Sequence, residues 1–458
     1  MKIRSMLYSH WLRRPKALSP TKTIAVAFAV IILAGALLLD LPAASRSGVS
    51  CGFRPALFTA TSATCVTGLV LYDTWTQWSG FGQAVILGLI EIGGLGFMSA
   101  AALVVFVLRK RIGLKQRMVM AQALSLNDME GVVRIQKTLL IGSLSIEAIG
   151  ALILTVRFWP EYGFVTALKW GVFHSVSAFC NAGFDILGSI APGGSMIPFQ
   201  NDPTVLLTLC ALIVVGGLGF LVWQEIWEKR RFRKLSVYAR LVLVATLVLI
   251  LTGWVATCLL EWNNPDTLGA MNWWQKLLNG LFQSVTLRTA GFAAVDQGKL
   301  TGAGKGFSMV LMLIGGSSGS TAGGLKTVTV GVLLLALRDG LRGRDQVVFR
   351  GRRIPGRKVL DAMTLALTVL LLFLSASMLL SLMERVPYVQ AAFETASAMG
   401  TVGVTMGITP GLSVPSALLV IALMFLGRVG ILSFSIAFLT RGRGENKILY
   451  PSTEVMIG

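Results

Sequence analysis

Histidine is almost missing from this chain. Only His10 and His174 occur in 458 residues, too few for a histidine-based metal or acid–base site. Cysteine is scarce as well. Cys51, Cys65, Cys180, Cys210 and Cys258 form no CxxC pair and have no histidines at ligand spacing, so no zinc-type site is indicated. There is no HExxH or Walker sequence and no pair of carboxylates at catalytic spacing, which argues against an enzyme. Charge is thin: 14% of residues are charged, against about a quarter in soluble proteins. Acidic residues are the scarcer sign, 21 against 41 Lys and Arg, for a net charge of +20.

What is abundant is apolar sequence, 54% of the chain. Runs such as 23–39, 84–108, 205–223, 241–260 and 417–439 are long enough for a hydrocarbon core, which takes roughly 20 apolar residues. An integral membrane protein in contact with lipid is expected. The positive charge invites a nucleic-acid reading, but its distribution argues against one. Segments 2–22, 109–137, 229–240, 326–358 and 441–447 hold 31 of the 41 basic residues. Such asymmetry is the positive-inside signature. It predicts a multi-pass protein of the cell membrane with both termini in the cytoplasm. The first apolar run, without a convincing cleavage site, reads as a retained helix.

One pattern recurs four times: Cys65-Val66-Thr67-Gly68, Cys180-Asn181-Ala182-Gly183, Arg288-Thr289-Ala290-Gly291 and Gly400-Thr401-Val402-Gly403. Its final glycines lie 115, 108 and 112 residues apart. A period this long, with the same interruption each time, indicates duplicated units. Each unit parses as a spanning helix, a half-length apolar helix, the glycine motif and a second spanning helix. The predicted ranges are 22–40, 54–64 and 82–108; 135–156, 168–179 and 204–228; 237–260, 274–287 and 306–337; 358–384, 388–399 and 413–440. The second helices carry Gly93-Gly94-Leu95-Gly96, Gly216-Gly217-Leu218-Gly219, Gly315-Gly316 and Gly427-Arg428-Val429-Gly430. Close helix packing and a hinge both account for these glycines.

Two spans and one re-entrant segment return the chain to its starting side, so all four units share one direction, unlike carriers built from inverted repeats. The expected fold is an all-α membrane protein of eight transmembrane helices, arranged as four parallel helix–pore loop–helix repeats around one pseudo-fourfold pore. Its predicted parts are a cytoplasmic segment (1–21), repeat 1 (22–108) and repeat 2 with its preceding loop (109–228). Repeat 3 with an intramembrane loop at 315–324 (229–337), repeat 4 with its basic loop (338–440) and a cytoplasmic tail (441–458) follow.

Irregular backbone at membrane depth is tolerated where it lines a cavity, and backbone carbonyls can replace the water around K+. The expected filter is therefore Val66, Thr67 and Gly68; Asn181, Ala182 and Gly183; Thr289, Ala290 and Gly291; and Thr401, Val402 and Gly403, with K+ held by backbone carbonyls. The run Gly315-Gly316-Ser317-Ser318-Gly319-Ser320-Thr321-Ala322-Gly323-Gly324, followed by Lys326, cannot remain a stable helix in lipid, and is expected to line the pore as a movable gate. Leu325 breaks any Walker spacing there. Arg428 replaces the glycine found at Gly94, Gly217 and Gly316. An arginine at such depth needs a polar partner, and the 315–324 loop is the expected one. Arg288 is expected to brace the filter from behind, paired with Glu394 or Glu147.

These motifs, with the GGSSGSTAGGLKT loop and the FLGRVG segment, resemble the Ktr/Trk/HKT superfamily of cation transporters over essentially the whole chain. An eight-helix core looks like the KtrB membrane subunit more than its longer Trk relative. The resemblance implies K+ uptake by a homodimer with one pore per protomer, frequent Na+ stimulation, and a cytoplasmic KtrA-type ring that binds ATP or ADP. This chain itself would carry no cofactor. The resemblance also implies that the third-unit loop is the gate, with Arg428 beside it. A Na+-permeant or K+/Na+-cotransporting member is the alternative.

Overall fold

The computed structural model describes residues 20–96 and 132–430. The chain runs through α1 (Pro20–Leu39), short α2 (Phe53–Thr64) and α3 (Gly80–Leu95). The next set is α4 (Val132–Tyr162), short α5 (Phe164–Phe179), α6 (Pro203–Leu218) and α7 (Phe220–Lys229). The third is α8 (Val237–Glu261), short α9 (Trp273–Thr286), α10 (Gly302–Leu313) and α11 (Thr327–Leu341). A hairpin of β1 (Val348–Phe349) and β2 (Arg352–Arg353) precedes α12 (Gly356–Glu384), short α13 (Tyr388–Gly400) and α14 (Val414–Val429). The fold is helical and of membrane type. α1, α4, α8 and α12 each contain a stretch long and apolar enough to cross a membrane.

The first helices and the short helices fall within a few residues of the predicted ranges. The second helices require a correction, because none described is a continuous span. α3 stops at Gly96 (φ 85°), α6 at Gly219 (φ 87°) and α14 at Gly430 (φ 91°). Past Gly219, α7 leaves α6 at 94°. The left-handed backbone that glycine alone adopts freely ends an α-helix. In the third set the break widens to the stretch between Leu313 and Thr327, which agrees with the predicted interruption at 315–324. Segments 97–108 and 431–440, expected to complete the first and last second helices, lie outside the described residues. So do most of the N-terminal segment, most of the 109–137 loop and the tail.

The close-packing reading of the second-helix glycines holds at the first position of these motifs, and the last position ends the helix. A methyl group on Gly93, Gly216 or Gly427 would strike the carbonyl oxygen of Thr64, Phe179 or Met399 respectively. The first glycine thus serves close packing on the short helix of its own set, and the last one breaks the helix. α3, α6 and α10 start where Ser79, Asp202 and Thr301 cap the backbone N–H groups of Gly82, Thr204 and Gly304, removing donors that would otherwise be orphaned.

Packing between the sets is cyclic. Each of α1, α4, α8 and α12 lies against the short helix that follows it. Each second helix also touches the short helix of the next set: α3 meets α5, α6 meets α9, α10 meets α13, and α14 returns to α2.

The 338–358 segment, expected as a basic loop, is ordered around one carboxylate. Arg338 Nη2 donates to both oxygens of Asp339 (2.9 and 3.0 Å) and to the Val348 carbonyl (2.9 Å). The Val348 N–H donates to Asp339 Oδ2 at 3.0 Å. The Arg350-Gly351 turn has both φ angles positive, 49° and 77°, as a tight two-residue hairpin turn requires. The hydrogen bonds from Arg338, then that from Val348, hold the Asp339 carboxyl below the usual carboxylate range. A depressed acid stabilises the fold in full above its unfolded value (about 3.9), and that support is lost as pH falls through the folded value. Asp339→Asn is therefore expected to free the hairpin, with tryptic cleavage between 342 and 353 accelerating severalfold at neutral pH. An unchanged cleavage rate would count against the clamp.

Candidate cation filter and gate

The four glycine motifs follow the C-termini of α2, α5, α9 and α13 directly, where helix dipoles present their negative ends. All four share one backbone course. Val66, Asn181, Thr289 and Thr401 have φ of 56°, 59°, 68° and 52°. Two residues on, Gly68, Gly183, Gly291 and Gly403 have φ of 95°, 70°, 83° and 100°. Positive φ is rare outside glycine and a genuine outlier for β-branched residues such as Val66, Thr289 and Thr401. Each such residue costs on the order of 1–3 kcal/mol and persists only where its surroundings over-determine it.

Those surroundings come from the short helices. The N–H groups of Thr67, Ala182, Ala290 and Val402 donate to the carbonyls of Ser62, Ser177, Thr286 and Ser397 at 2.7–2.9 Å. The same four residues brace the motif again through their hydroxyls. Ser62 and Ser397 accept from the N–H of Gly68 and Gly403, both at 3.0 Å. Ser177 and Thr286 donate to the carbonyls of Phe184 and Phe292 at 2.7 and 2.6 Å. Sequence reasoning missed these hydroxyls, although a Ser or Thr five or six residues before each motif glycine was there to be read.

The motifs meet in a closed ring. A methyl on Gly183 would lie 2.7 Å from the Ala290 oxygen, and one on Gly291 would lie 2.5 Å from the Val402 oxygen. One on Gly403 would overlap the Thr67 oxygen, and one on Gly68 the Ala182 oxygen. Each glycine thus abuts the carbonyl preceding the next glycine, in the order 68, 183, 291, 403 and back. Those four carbonyls accept no hydrogen bond among the described residues.

The 315–324 loop lies against the second set. Ser317 and Thr321 donate backbone N–H groups to the carbonyls of Gly217 and Gly216, at 3.1 and 3.3 Å. The Phe220 N–H donates to Gly319 at 3.1 Å, and Tyr238 OH to Ser318 at 3.1 Å. Lys326 Nζ folds back onto the Ala322 carbonyl at 2.8 Å. Thr321 Oγ1 reaches Asn181 Oδ1 (3.4 Å), and Asn181 Nδ2 reaches Thr289 Oγ1 (3.3 Å). One amide thereby joins the loop to two motifs.

Arg428 has the partner expected of it. Its guanidinium donates to the Thr321 carbonyl within the loop and to the Gly93 and Gly94 carbonyls, the last at 3.1 Å. It therefore ties the third set's loop to the point where α3 ends.

The expected pairing of Arg288 with an acid is not found. Arg288 is buried and forms no ion pair among the described residues. Glu394 accepts instead from the hydroxyls of Thr405 (2.9 Å) and Thr409. Glu147 faces Glu91 and Cys180, their ligand atoms lying within 4.8 Å of one another. Each carboxylate is occupied by groups nearer to it in space than Arg288, and sequence spacing does not reveal this. Glu91 itself was not singled out from the sequence.

The profile of the TrkH family, described as "Cation transport protein", matches residues 4–445. The chain belongs to the TrkH family. Among family relatives it is 42% identical over 448 residues to the "Potassium/sodium uptake protein NtpJ" of Enterococcus hirae, covering 97% of this chain and 98% of that one. It is 41% identical over 440 residues to the "Ktr system potassium uptake protein B" of Bacillus subtilis, covering 96% and 97%. The crystal structure of the potassium transporter TrkH from Vibrio parahaemolyticus superposes with a TM-score of 0.73 at 18% identity, over 93% of this chain and 86% of that one. That likeness concerns the fold alone. The expected resemblance to the KtrB side of the TrkH family is upheld.

Proposed function

We propose that this TrkH-family protein conducts K+ into the cell, as a potassium-selective channel-like transporter rather than an enzyme. The observation that carries this reading is the closed ring of four glycine motifs, with four carbonyls that accept no hydrogen bond among the described residues. Such oxygens can stand in for the hydration shell of an alkali cation, and the membrane potential supplies the inward force. K+ is the cargo, held by the carbonyls of residues 66–68, 181–183, 289–291 and 401–403. In this reading the four sets are pore repeats, loop 315–324 with Lys326 is the gate, and Arg428 is its latch. Arg288, Glu394 and Glu147 support the filter from behind. The protein would act in the plasma membrane as a homodimer with cytoplasmic termini. A KtrA-type ring carrying ATP or ADP would meet the basic face at 338–358.

The name of the Enterococcus relative, a potassium/sodium uptake protein, favours a second reading in which Na+ passes or is coupled. Uptake measured in cells lacking their own potassium transport, with and without Na+ and a co-expressed regulatory subunit, separates the two. K+ uptake without accompanying Na+ influx is the expected result. Stoichiometric Na+ entry would favour the second reading, and absence of both fluxes would remove the proposal.

A further inference from the structure

The short helices share a feature beyond the serine and threonine braces. Each carries a buried phenylalanine, Phe58, Phe173, Phe282 or Phe393, and the residue after it is polar and equally buried. That residue is Thr59, His174, Gln283 or Glu394, each 2% exposed or less. Burying a polar group in such a place is unfavourable unless it is hydrogen-bonded.

Three of the four reach the segment just beyond their own motif. His174 Nε2 accepts from the Ile186 N–H at 3.5 Å, its Nδ1 pairing with the Trp170 carbonyl at 2.7 Å. Gln283 and Gln297 exchange amide hydrogen bonds of 2.6 and 3.1 Å. Glu394 binds Thr405 and Thr409, whose hydroxyls are themselves 3.1 Å apart. Thr59, the shortest, makes no such bond among the described residues. One structural position thus holds four unlike side chains.

Glu394 differs from its counterparts in the number and placement of its partners. It is fully buried and without a basic partner among the described residues. Both of its oxygens are used, and both partners lie on one short stretch. Thr405 and Thr409 stand two and six residues beyond Gly403. Thr405 Oγ1 also accepts from the Gly407 N–H at 2.9 Å, so the hydroxyl fixes the turn as well. The fourth motif is therefore held beyond Gly403 by the Glu394 clamp and at Gly403 itself by Ser397. A strained backbone needs such over-determination, and an ion site loses precision when its supporting shell is loose.

We propose that Glu394, acting through Thr405 and Thr409, is a positioning residue that fixes the aim of the fourth motif's carbonyls and so sets the preference for K+ over Na+. His174 and Gln283 each hold their motif through one residue beyond it, Ile186 and Gln297. The clamp makes the fourth quarter the most tightly held. This inference rests on the filter reading above.

The test is K+, Rb+ and Na+ uptake into cells lacking potassium transport, normalised to the amount of protein in the membrane. Glu394→Ala is expected to lower the K+-over-Na+ preference about tenfold, the scale of a lost buried hydrogen-bond partner. Glu394→Gln, which keeps one acceptor, should fall between. Thr409→Val leaves the carboxylate in place and should reproduce most of the loss. Adding Glu394→Ala to it should lower the ratio no further than Glu394→Ala does alone. If Glu394→Ala does not reach the membrane, Thr405→Val and Thr409→Val carry the test. Normal insertion with unchanged ion ratios in these variants overturns the clamp, even if total uptake drops. Gly403→Ser serves as the reference. If it alters the ratio while the clamp variants do not, only this inference fails. If it too leaves the ratio unchanged, the filter reading fails.

Discussion

Gly403→Ser is expected to reduce K+ uptake at low external K+ by one to two orders of magnitude and to narrow the margin over Na+. The residue has φ of 100°, a conformation that side chains rarely adopt. A Cβ there would overlap the Thr67 carbonyl oxygen and lie 3.0 Å from Gly68 Cα. Both neighbours are backbone, so neither can rotate away, and overpacking of this kind typically costs about 1–3 kcal/mol. The strain falls on the carbonyl that the fourth motif shares with the first. Gly306→Ala is the control: nothing lies within 4 Å of that added methyl, and uptake should be unaltered. Concentration-dependent K+ and Na+ uptake checks both variants. Equal transport of the two ions before and after Gly403→Ser would contradict the filter.

Arg428→Ala is expected to raise basal flux severalfold and to weaken its dependence on the regulatory subunit proposed above. The guanidinium holds three carbonyls at once, from Thr321, Gly93 and Gly94, and charge-assisted bonds of this type are the strong ones. Removing it unties the loop from α3 while leaving the loop's bonds to Gly216, Gly217 and Tyr238 in place. Lysine lacks the planar fork, so Arg428→Lys should give an intermediate flux. Flux measured with and without the subunit decides it. An unchanged basal rate in Arg428→Ala would remove Arg428 from the gate.

The four motifs were legible because their signal is local: a glycine at fixed distance from a short apolar helix, repeated along the chain. The loop at 315–324 was legible because ten small or polar residues cannot form a helix in lipid. Even the contact between Arg428 and that loop followed from the cost of an unpartnered charge. What escaped was decided by packing between distant segments. Gly96, Gly219 and Gly430 look no different in the sequence from Gly93, Gly216 and Gly427. Only the carbonyls packed beside the latter three, and the positive φ of the former, tell breaker from spacer. Arg288 was paired with acids because a buried cation calls for one. Yet Glu394 had hydroxyls nearby and Glu147 had Glu91 and Cys180. The Asp339-centred hairpin escaped because two-residue strands carry too little pattern.

Arg428 stands where the corresponding second helices carry Gly94, Gly217 and Gly316. An assembly of four identical subunits would have to repeat that substitution in every quadrant, gathering four guanidiniums about a cation's path. Joining the quadrants in a single polypeptide lifts that symmetry requirement. One corner can then carry an arginine, another an unwound loop and a third neither, while the backbone of the central ring keeps one common course.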